Sequence, residues 1–423
     1  MPKRSLEHWL SYIEKLNPEE IELGLDRIRP VYEKLINSPL AEKIILVGGT
    51  NGKGSTVEYL SELLRDKNKR VGTYTSPHLF SFNERIRING KECSDSSILN
   101  SFMTVERARE SIPLTYFEFS TLAAIQIFSE SELDVVILEV GLGGRLDAVN
   151  VVEPDISILT NVELDHQDWL GNNREVIGKE KADIFREGKP AVLAQKNLPK
   201  SVFQEAIRKE AVLYTLNTDF GYEIDEIADN WSYFFSKDDK NLTISKINLT
   251  NLSVESASAA LTTFILLGEE FNEDLKKVIE KTNLKGRCEL IKNKFLLDVS
   301  HNPAAVQNLK HFIRRNFKTR NRIVAVFGAM SDKDVLGMVE PIKKIVSRWY
   351  VTSPEIGRAM KTSKLTSLLR ESTDSEIIEV DRVKDAVHRA FKDSSEETLI
   401  LVLGSFYTVS EAVPVIEVIV NCN

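Results

Sequence analysis

Gly48-Gly49-Thr50-Asn51-Gly52-Lys53-Gly54-Ser55 follows the apolar run Ile44 to Val47 and precedes Val57, Leu60, Leu63 and Leu64 at helical spacing. A short buried run, a glycine loop, a helix and then a second apolar run, Val71 to Thr75, give the order strand–loop–helix–strand. That order predicts a right-handed βαβ unit in a parallel sheet. Glycines let the backbone curl so that several N–H groups point inward. The helix N-terminus adds positive potential, and Lys53 adds a full charge suited to the β- and γ-phosphates of ATP. Thr50, Asn51, Gly52 and Gly54 complete the cradle, and the Ser55 hydroxyl can reach Mg²⁺. A glycine-rich turn with no ligand is the plainer alternative, and the flanking strand and helix argue against it. Gly54 is an extra glycine between the lysine and the hydroxyl, a departure that argues against an ordinary kinase or GTPase loop.

Working outward, 423 residues suit two domains, each with its own core. The net charge of −8 favours neither nucleic acid nor an anionic membrane as partner. No apolar run approaches the roughly 20 residues that span a bilayer, and the segment from Met1 to Leu10 has no signal-peptide pattern. Cys93, Cys288 and Cys422 share no metal-ligand spacing, and a reduced, cytoplasmic protein is expected. Further strands are expected at Val135 to Val140 and Ile156 to Thr160, with a helix at Ser120 to Phe128. Residues 192–250 read as a small, irregular sheet region, as in the alternating run Trp231 to Phe235, followed by a helix from Val254 to Leu267. A second α/β alternation has strands at Phe295 to Asp298, Ile323 to Phe327, Trp349 to Thr352 and Leu399 to Leu403, with a helix at Val383 to Phe391. The fold expected is a P-loop parallel-sheet α/β domain with a small additional β region, residues 1–285, then a Rossmann-like α/β domain, residues 286–423. An ATP site suits the crevice between such domains.

Three histidine strings fall at carboxyl ends of expected strands: Ser76-Pro77-His78-Leu79, Asp165-His166 and Asp298-Val299-Ser300-His301-Asn302-Pro303. Taken singly, each histidine is more readily structural. Glu139 ends another strand beside Gly141, Gly143 and Gly144. A carboxylate there suits Mg²⁺ bound to phosphates, although a turn with a solvated acid is the simpler alternative. Gly178 to Arg186 looks, by pattern, like a charged helix face.

Together these strings resemble the bacterial bifunctional dihydrofolate synthase/folylpolyglutamate synthases of the Mur ligase superfamily. The matching strings are Gly49 to Ser55, Ser76 to Leu79, Glu84 to Arg87, Thr115-Tyr116-Phe117-Glu118, Leu138 to Asp147, Leu164 to His166, Glu180-Lys181-Ala182, Gly286-Arg287, Asp298 to Pro303, Asp332 to Asp334 and Gly404 to Phe406. They span nearly the whole chain in the family's order. The string Thr115 to Glu118 and the opening Ile21-Glu22-Leu23-Gly24-Leu25 point to folate. The resemblance implies an ATP-dependent ligase that phosphorylates a carboxylate and lets the amine of L-glutamate attack the acyl phosphate. Its substrates would be dihydropteroate and tetrahydrofolate glutamates. Lys53 would stabilise the transferred phosphoryl. One Mg²⁺ would be held by Ser76 and Glu139 with the loop hydroxyl of Ser55, and a second by His166. Lys181 matches a lysine that the family carbamylates, which would turn a cation into an oxygen ligand. Arg287, Asp298 and His301 would contact ATP on domain closure. The pterin would lie near Glu22, Leu23 and Gly24, Thr115 to Glu118, and Leu146, Asp147 and Ala148, with Phe117 offering an apolar face or simple core packing. Bacterial members are usually monomers.

Four positions depart from the family pattern. Asp183 replaces a glycine, Val149 a threonine, Ser256 an asparagine that contacts nucleotide, and Tyr407 a histidine. Two other readings compete: a ligase of cell-wall nucleotide precursors, or a non-catalytic folate- or nucleotide-binding relative. The first would need an additional N-terminal domain, whereas only about 47 residues precede the loop. Retention of Lys53 and of the metal ligands argues against the second.

Overall fold

The computed structural model describes residues 5–17, 19, 21–237, 239–318 and 322–422. The chain divides into two compact units, Met1–Thr282 and Asn283–Asn423. No helix among the described residues is long and apolar enough to cross a membrane.

The first unit is built on an eight-stranded sheet. Its strands are β1 (Ala41–Gly48), β2 (Val71–Tyr74), β3 (Ile86–Ile88), β4 (Lys91–Glu92), β5 (Leu133–Glu139), β6 (Ile156–Leu159), β7 (Pro190–Leu193) and β8 (Val212–Thr215). The order is β4-β3-β2-β5-β1-β6-β7-β8. Pairing is parallel from β2 to β8, while β3 and β4 extend one edge antiparallel. β1 and β2 are parallel as the sequence predicts, but β5 lies between them. β1 therefore sits where chain direction across the sheet reverses, with β5 on one side and β6 on the other. Ligands of open α/β sheets bind at such a switch point, beyond the carboxyl ends of the strands.

The helix Lys53–Asp66 that follows the glycine loop buries Val57, Leu60, Leu63 and Leu64 as expected, and Tyr59 and Ser61 as well. The helix is buried beyond a single stripe because the almost wholly buried helix Val254–Leu266 packs on it. Beyond it Asn68 adopts a left-handed conformation, φ 59°, a usual helix stop. The helix Tyr116–Ser129 starts in a capping box, Thr115 and Glu118, and buries every residue from Glu118 to Phe128.

Residues 192–250 differ from the sequence reading. Only β9 (Phe220–Asp225), β10 (Asn230–Lys237) and β11 (Lys240–Asn248) form the small sheet, antiparallel in the order β11-β10-β9. Trp231, Tyr233 and Phe235 alternate into its buried face, and the Tyr233 hydroxyl meets Thr262 Oγ1 at 2.9 Å. The residues before it, through the helix Lys200–Arg208 and β8, complete the main parallel sheet. The edge strand β8 is short and only partly buried, so it lacks the apolar run of an interior strand.

The second unit has six strands: β12 (Glu289–Ile291), β13 (Phe295–Asp298), β14 (Arg322–Phe327), β15 (Val346–Val351), β16 (Glu376–Glu379) and β17 (Thr398–Leu403). Their order is β12-β13-β17-β14-β15-β16, parallel except for β12. Both units are thus α/β, and the second is Rossmann-like. β16 has no fully buried residue, which is why it leaves no apolar run in the sequence.

Gly49 illustrates how tightly the switch point is built. Its φ is +142°, and a Cβ there would lie 1.8 Å from Thr160 Oγ1. Gly49→Ala is expected to destabilise the first unit by about 1–3 kcal/mol, combining backbone strain with a clash. Thermal unfolding with and without ATP measures the effect, and an unchanged Tm would refute it.

Candidate active site

The glycine loop is fastened to the end of β6. Thr160 Oγ1 donates to the carbonyls of Gly48 (3.2 Å) and Asn51 (2.7 Å). Asn161 Oδ1 accepts from the N–H groups of Thr50 (3.1 Å) and Asn51 (2.8 Å). Thr50 Oγ1 accepts from Glu163 N at 3.0 Å and lies 3.3 Å from the Glu163 carbonyl. Gly52 then turns the chain in a left-handed conformation, φ 82°, into the helix. The N–H groups of Lys53, Gly54 and Ser55 sit in the first helical turn, where no carbonyl one turn back can bond them. They are the donors left for a phosphate. Thr160 and Asn161 were not singled out from the sequence; the available signal was two short polar residues directly after a buried strand.

Two lysines meet at one carbonyl. Lys53 Nζ donates to Gly49 O and Thr50 O, each at 3.2 Å. Lys181 Nζ, from the last turn of the helix Arg174–Ala182, donates to the same Gly49 O at 2.9 Å. Lys181 is 4% exposed. Burial, and then the Lys53 charge, pull its pKa down to about 7, against the opposing pull of Asp165, Asp147 and Glu180. Gly144 lets this helix end approach: a Cβ there would lie 2.8 Å from the carbonyls of both Glu180 and Lys181.

Glu139 ends β5, beside β1, and is buried. Its Oε2 accepts from Ser76 N at 3.1 Å, so the ends of β2 and β5 bring those two residues together. Ser55 is buried on the loop helix. His166 adopts φ 50° at the start of the short helix Gln167–Leu170, and its N–H bonds Asp165 Oδ1 at 2.9 Å. Among the described residues no group of three or more His, Cys, Asp or Glu is placed to hold a metal ion alone. A buried carboxylate bonded to the Ser76 backbone fits Mg²⁺ nonetheless, because that ion takes one or two carboxylates and completes its shell with phosphates and water. His78 stands apart from this set. It accepts from Arg85 Nε at 2.8 Å, and burial and the Arg85 charge lower its pKa to about 4.

The residues expected around the pterin also converge. Gly24 N bonds Leu146 O at 3.2 Å. Glu118, 3% exposed, accepts from Thr115 N at 2.7 Å. Phe117 is half-buried, its ring 6.0 Å from that of Tyr74, and Gly141 passes so close that a Cβ would lie 2.5 Å from it. Asp147 accepts from the N–H groups of Leu142 (2.7 Å) and Val149 (3.0 Å), while burial raises its pKa to about 7. Leu23 and Tyr116 are half-buried, Ala148 buried, and Glu22 exposed. The node joining Glu22 to Glu118 is Arg27, a residue the sequence reading passed over.

In the second unit Asp298 holds the turn after β13, accepting from Cys288 N (2.8 Å), Ser300 N (2.9 Å) and Ser300 Oγ. The Arg287 guanidinium lies 5.1 Å from the centre of the Phe406 ring, and the His301 ring lies 6.0 Å from it. Of the four departures, Ser256 Oγ bonds Gly52 O at 3.2 Å and so supports the loop. Asp183 pairs with Arg208 (3.2 Å) and Lys209 (3.1 Å). Val149 is buried, and Tyr407 is exposed beneath Arg358.

The chain matches two family models: the Mur ligase middle domain over residues 47–262, and the Mur ligase glutamate ligase domain over residues 286–406. The dihydrofolate synthase/folylpolyglutamate synthase of Escherichia coli is 37% identical over 415 residues, 97% of this chain and 96% of that protein. The structure of E. coli FolC in complex with DHPP and ADP superposes with a TM-score of 0.92 at 36% identity, covering 98% of each chain. A bifunctional folylpolyglutamate synthase/dihydrofolate synthase with Mn, AMPPNP and L-glutamate bound gives 0.89 at 35% identity, again over 98% of each. A phosphate cradle at the switch point, two lysines on one carbonyl and this similarity along the whole chain have one reading: the chain belongs to the Mur ligase family, among the dihydrofolate synthase/folylpolyglutamate synthases, and is an ATP-dependent ligase.

Proposed function

We propose that the chain joins L-glutamate to dihydropteroate, giving dihydrofolate, and to tetrahydrofolate glutamates, lengthening their tails. The observation that carries this reading is the meeting of Lys53 and Lys181 at the Gly49 carbonyl, beside the first turn of the loop helix. A folate carboxylate has no adequate leaving group. Its oxygen attacks the γ-phosphorus of ATP, ADP departs, and an acyl phosphate forms. The glutamate amine then attacks the acyl carbon, phosphate leaves, and the nitrogen loses a proton. The Lys53 ammonium and the N–H groups of Lys53, Gly54 and Ser55 hold the charge on the transferring phosphoryl.

Ser55, Ser76 and Glu139 would hold one Mg²⁺, and His166 with a carbamylated Lys181 a second. Mg²⁺ bound there supplies charge neutralisation at the phosphoryl oxygens. The buried environment of Lys181 supports carbamylation, since carbon dioxide adds only to a neutral amine and burial favours that form. The segments Glu22 to Gly24, Thr115 to Glu118 and Leu146 to Ala148 would frame the pterin, with the Phe117 ring as apolar wall.

ADP release decides between the readings. It is expected with ATP, glutamate and dihydropteroate, and separately with tetrahydrofolate. Release only with a UDP-muramyl peptide would sink the folate assignment, and release with none of the three would leave a binding protein.

A further inference from the structure

The segment from Ile21 to Arg27 has no regular secondary structure, yet it carries one side of the frame assigned to the pterin. Few bonds hold it to the rest of the unit. Asn17 Nδ2 donates to Pro113 O at 3.0 Å and to Glu22 Oε2 at 2.9 Å, and Gly24 N donates to Leu146 O at 3.2 Å. Among the described residues, the remaining hydrogen bonds and ion pairs pass through one side chain. The Arg27 guanidinium reaches Glu22 Oε1 at 2.6 Å and the Glu22 carbonyl at 2.6 Å. It also reaches both oxygens of Glu118, at 3.1 and 3.3 Å. Glu118 is itself bonded to Thr115 N, at the start of the helix that carries Phe117.

We propose that Arg27 is a positioning residue for the folate substrate: it locks the irregular Glu22–Gly24 segment onto the Thr115–Glu118 helix start, so that the pterin frame is assembled before substrate arrives. This rests on the folate reading above. A planar guanidinium with a fixed fork suits the task, because it engages two carboxylates and a carbonyl from one centre. It also cancels one of two acidic charges that would otherwise face each other across the frame. An ammonium is a point charge on a flexible stem and cannot keep all of these contacts. The phosphate loop, by contrast, is fastened to β6 through Thr160, Asn161 and Glu163, none of which Arg27 touches. The effect should therefore fall on the pterin and spare the nucleotide.

Arg27→Lys separates the roles. Expected is a KM for dihydropteroate raised about tenfold or more, the loss of a good charge-assisted contact set. The KM for ATP, the kcat at saturating pteroate and the Tm stay close to wild type. Glu22→Gln, which retains the carbonyl contact, should raise the same KM by less. A parallel rise in the ATP and pteroate KM values would overturn the proposal, and so would an unchanged pteroate KM whether Tm holds or falls. Wild-type enzyme in the same assay keeps the two ideas apart: without ADP release from dihydropteroate it is the folate reading that fails.

Discussion

Lys53→Ala is expected to lower turnover by roughly 10³-fold while leaving the fold in place. The size follows from removing a preorganised positive charge aimed at a transferring phosphoryl, where even one neutral donor is worth about 10²–10³ in kcat. The sparing of the fold follows from its contacts. Among the described residues the Lys53 ammonium bonds the Gly49 and Thr50 carbonyls, each at 3.2 Å, and both belong to its own loop. The loop stays fastened through Thr160 and Asn161, so Tm should move by no more than about 2–4 °C, the effect of a ~1 kcal/mol change in a unit of this size. The variant carries a second, independent signature. The Lys53 charge is the largest cause after burial of the lowered Lys181 pKa, so its removal should raise that pKa from about 7. Steady-state ADP release, differential scanning calorimetry and the pH profile of Lys181 labelling together test the assignment. Wild-type turnover in this variant would remove the phosphate role of the loop.

The parts of this architecture that were legible in sequence share a physical cause. Buried interior strands such as β13 and β17 are continuous apolar runs, and at their ends the chain changes abruptly to glycine or polar residues. Gly48 to Ser55, Glu139 and Asp298 are such endings. What stayed hidden depends on neighbours distant in sequence. That β5 would insert between β1 and β2 cannot be read from either strand, and only this order sets Glu139 beside the loop. Asn161 acquires its role because β6 pairs with β1, bringing its carboxamide to Thr50 and Asn51. Arg27 looks like one more surface charge until Glu118 is placed opposite it. Ser256 stands where the family has a nucleotide-contacting asparagine, and only the packing of its helix on Lys53–Asp66 turns its hydroxyl to Gly52 O. Lys181, on pattern alone, belonged to a charged helix face, and its burial is entirely a matter of tertiary structure.

That burial underlies the second large effect. Lys181→Met is expected to lower turnover by roughly 10²–10³-fold, as for loss of one preorganised charge-stabilising group. The variant should remain folded, because methionine fills a buried site without an ammonium to desolvate. The chemistry can be followed in the wild type. A neutral Lys181 amine adds carbon dioxide, forming the N–C bond of a carbamate and releasing one proton. With its pKa lowered to about 7, the folded protein holds most of the amine neutral at pH 8 and only about a tenth of it at pH 6. Carbamate formation should therefore weaken as pH falls through 7, whereas an exposed lysine, protonated throughout that range, would form almost none at any pH within it. Enzyme prepared free of carbon dioxide should lose activity and regain it with bicarbonate, and ¹³C-bicarbonate should yield a carbamate resonance that Lys181→Met lacks. If Mg²⁺-loaded wild-type protein at pH 8 shows no such resonance and is indifferent to carbon dioxide, Lys181 acts as an unmodified amine, and its contribution reduces to its hydrogen bond to the Gly49 carbonyl.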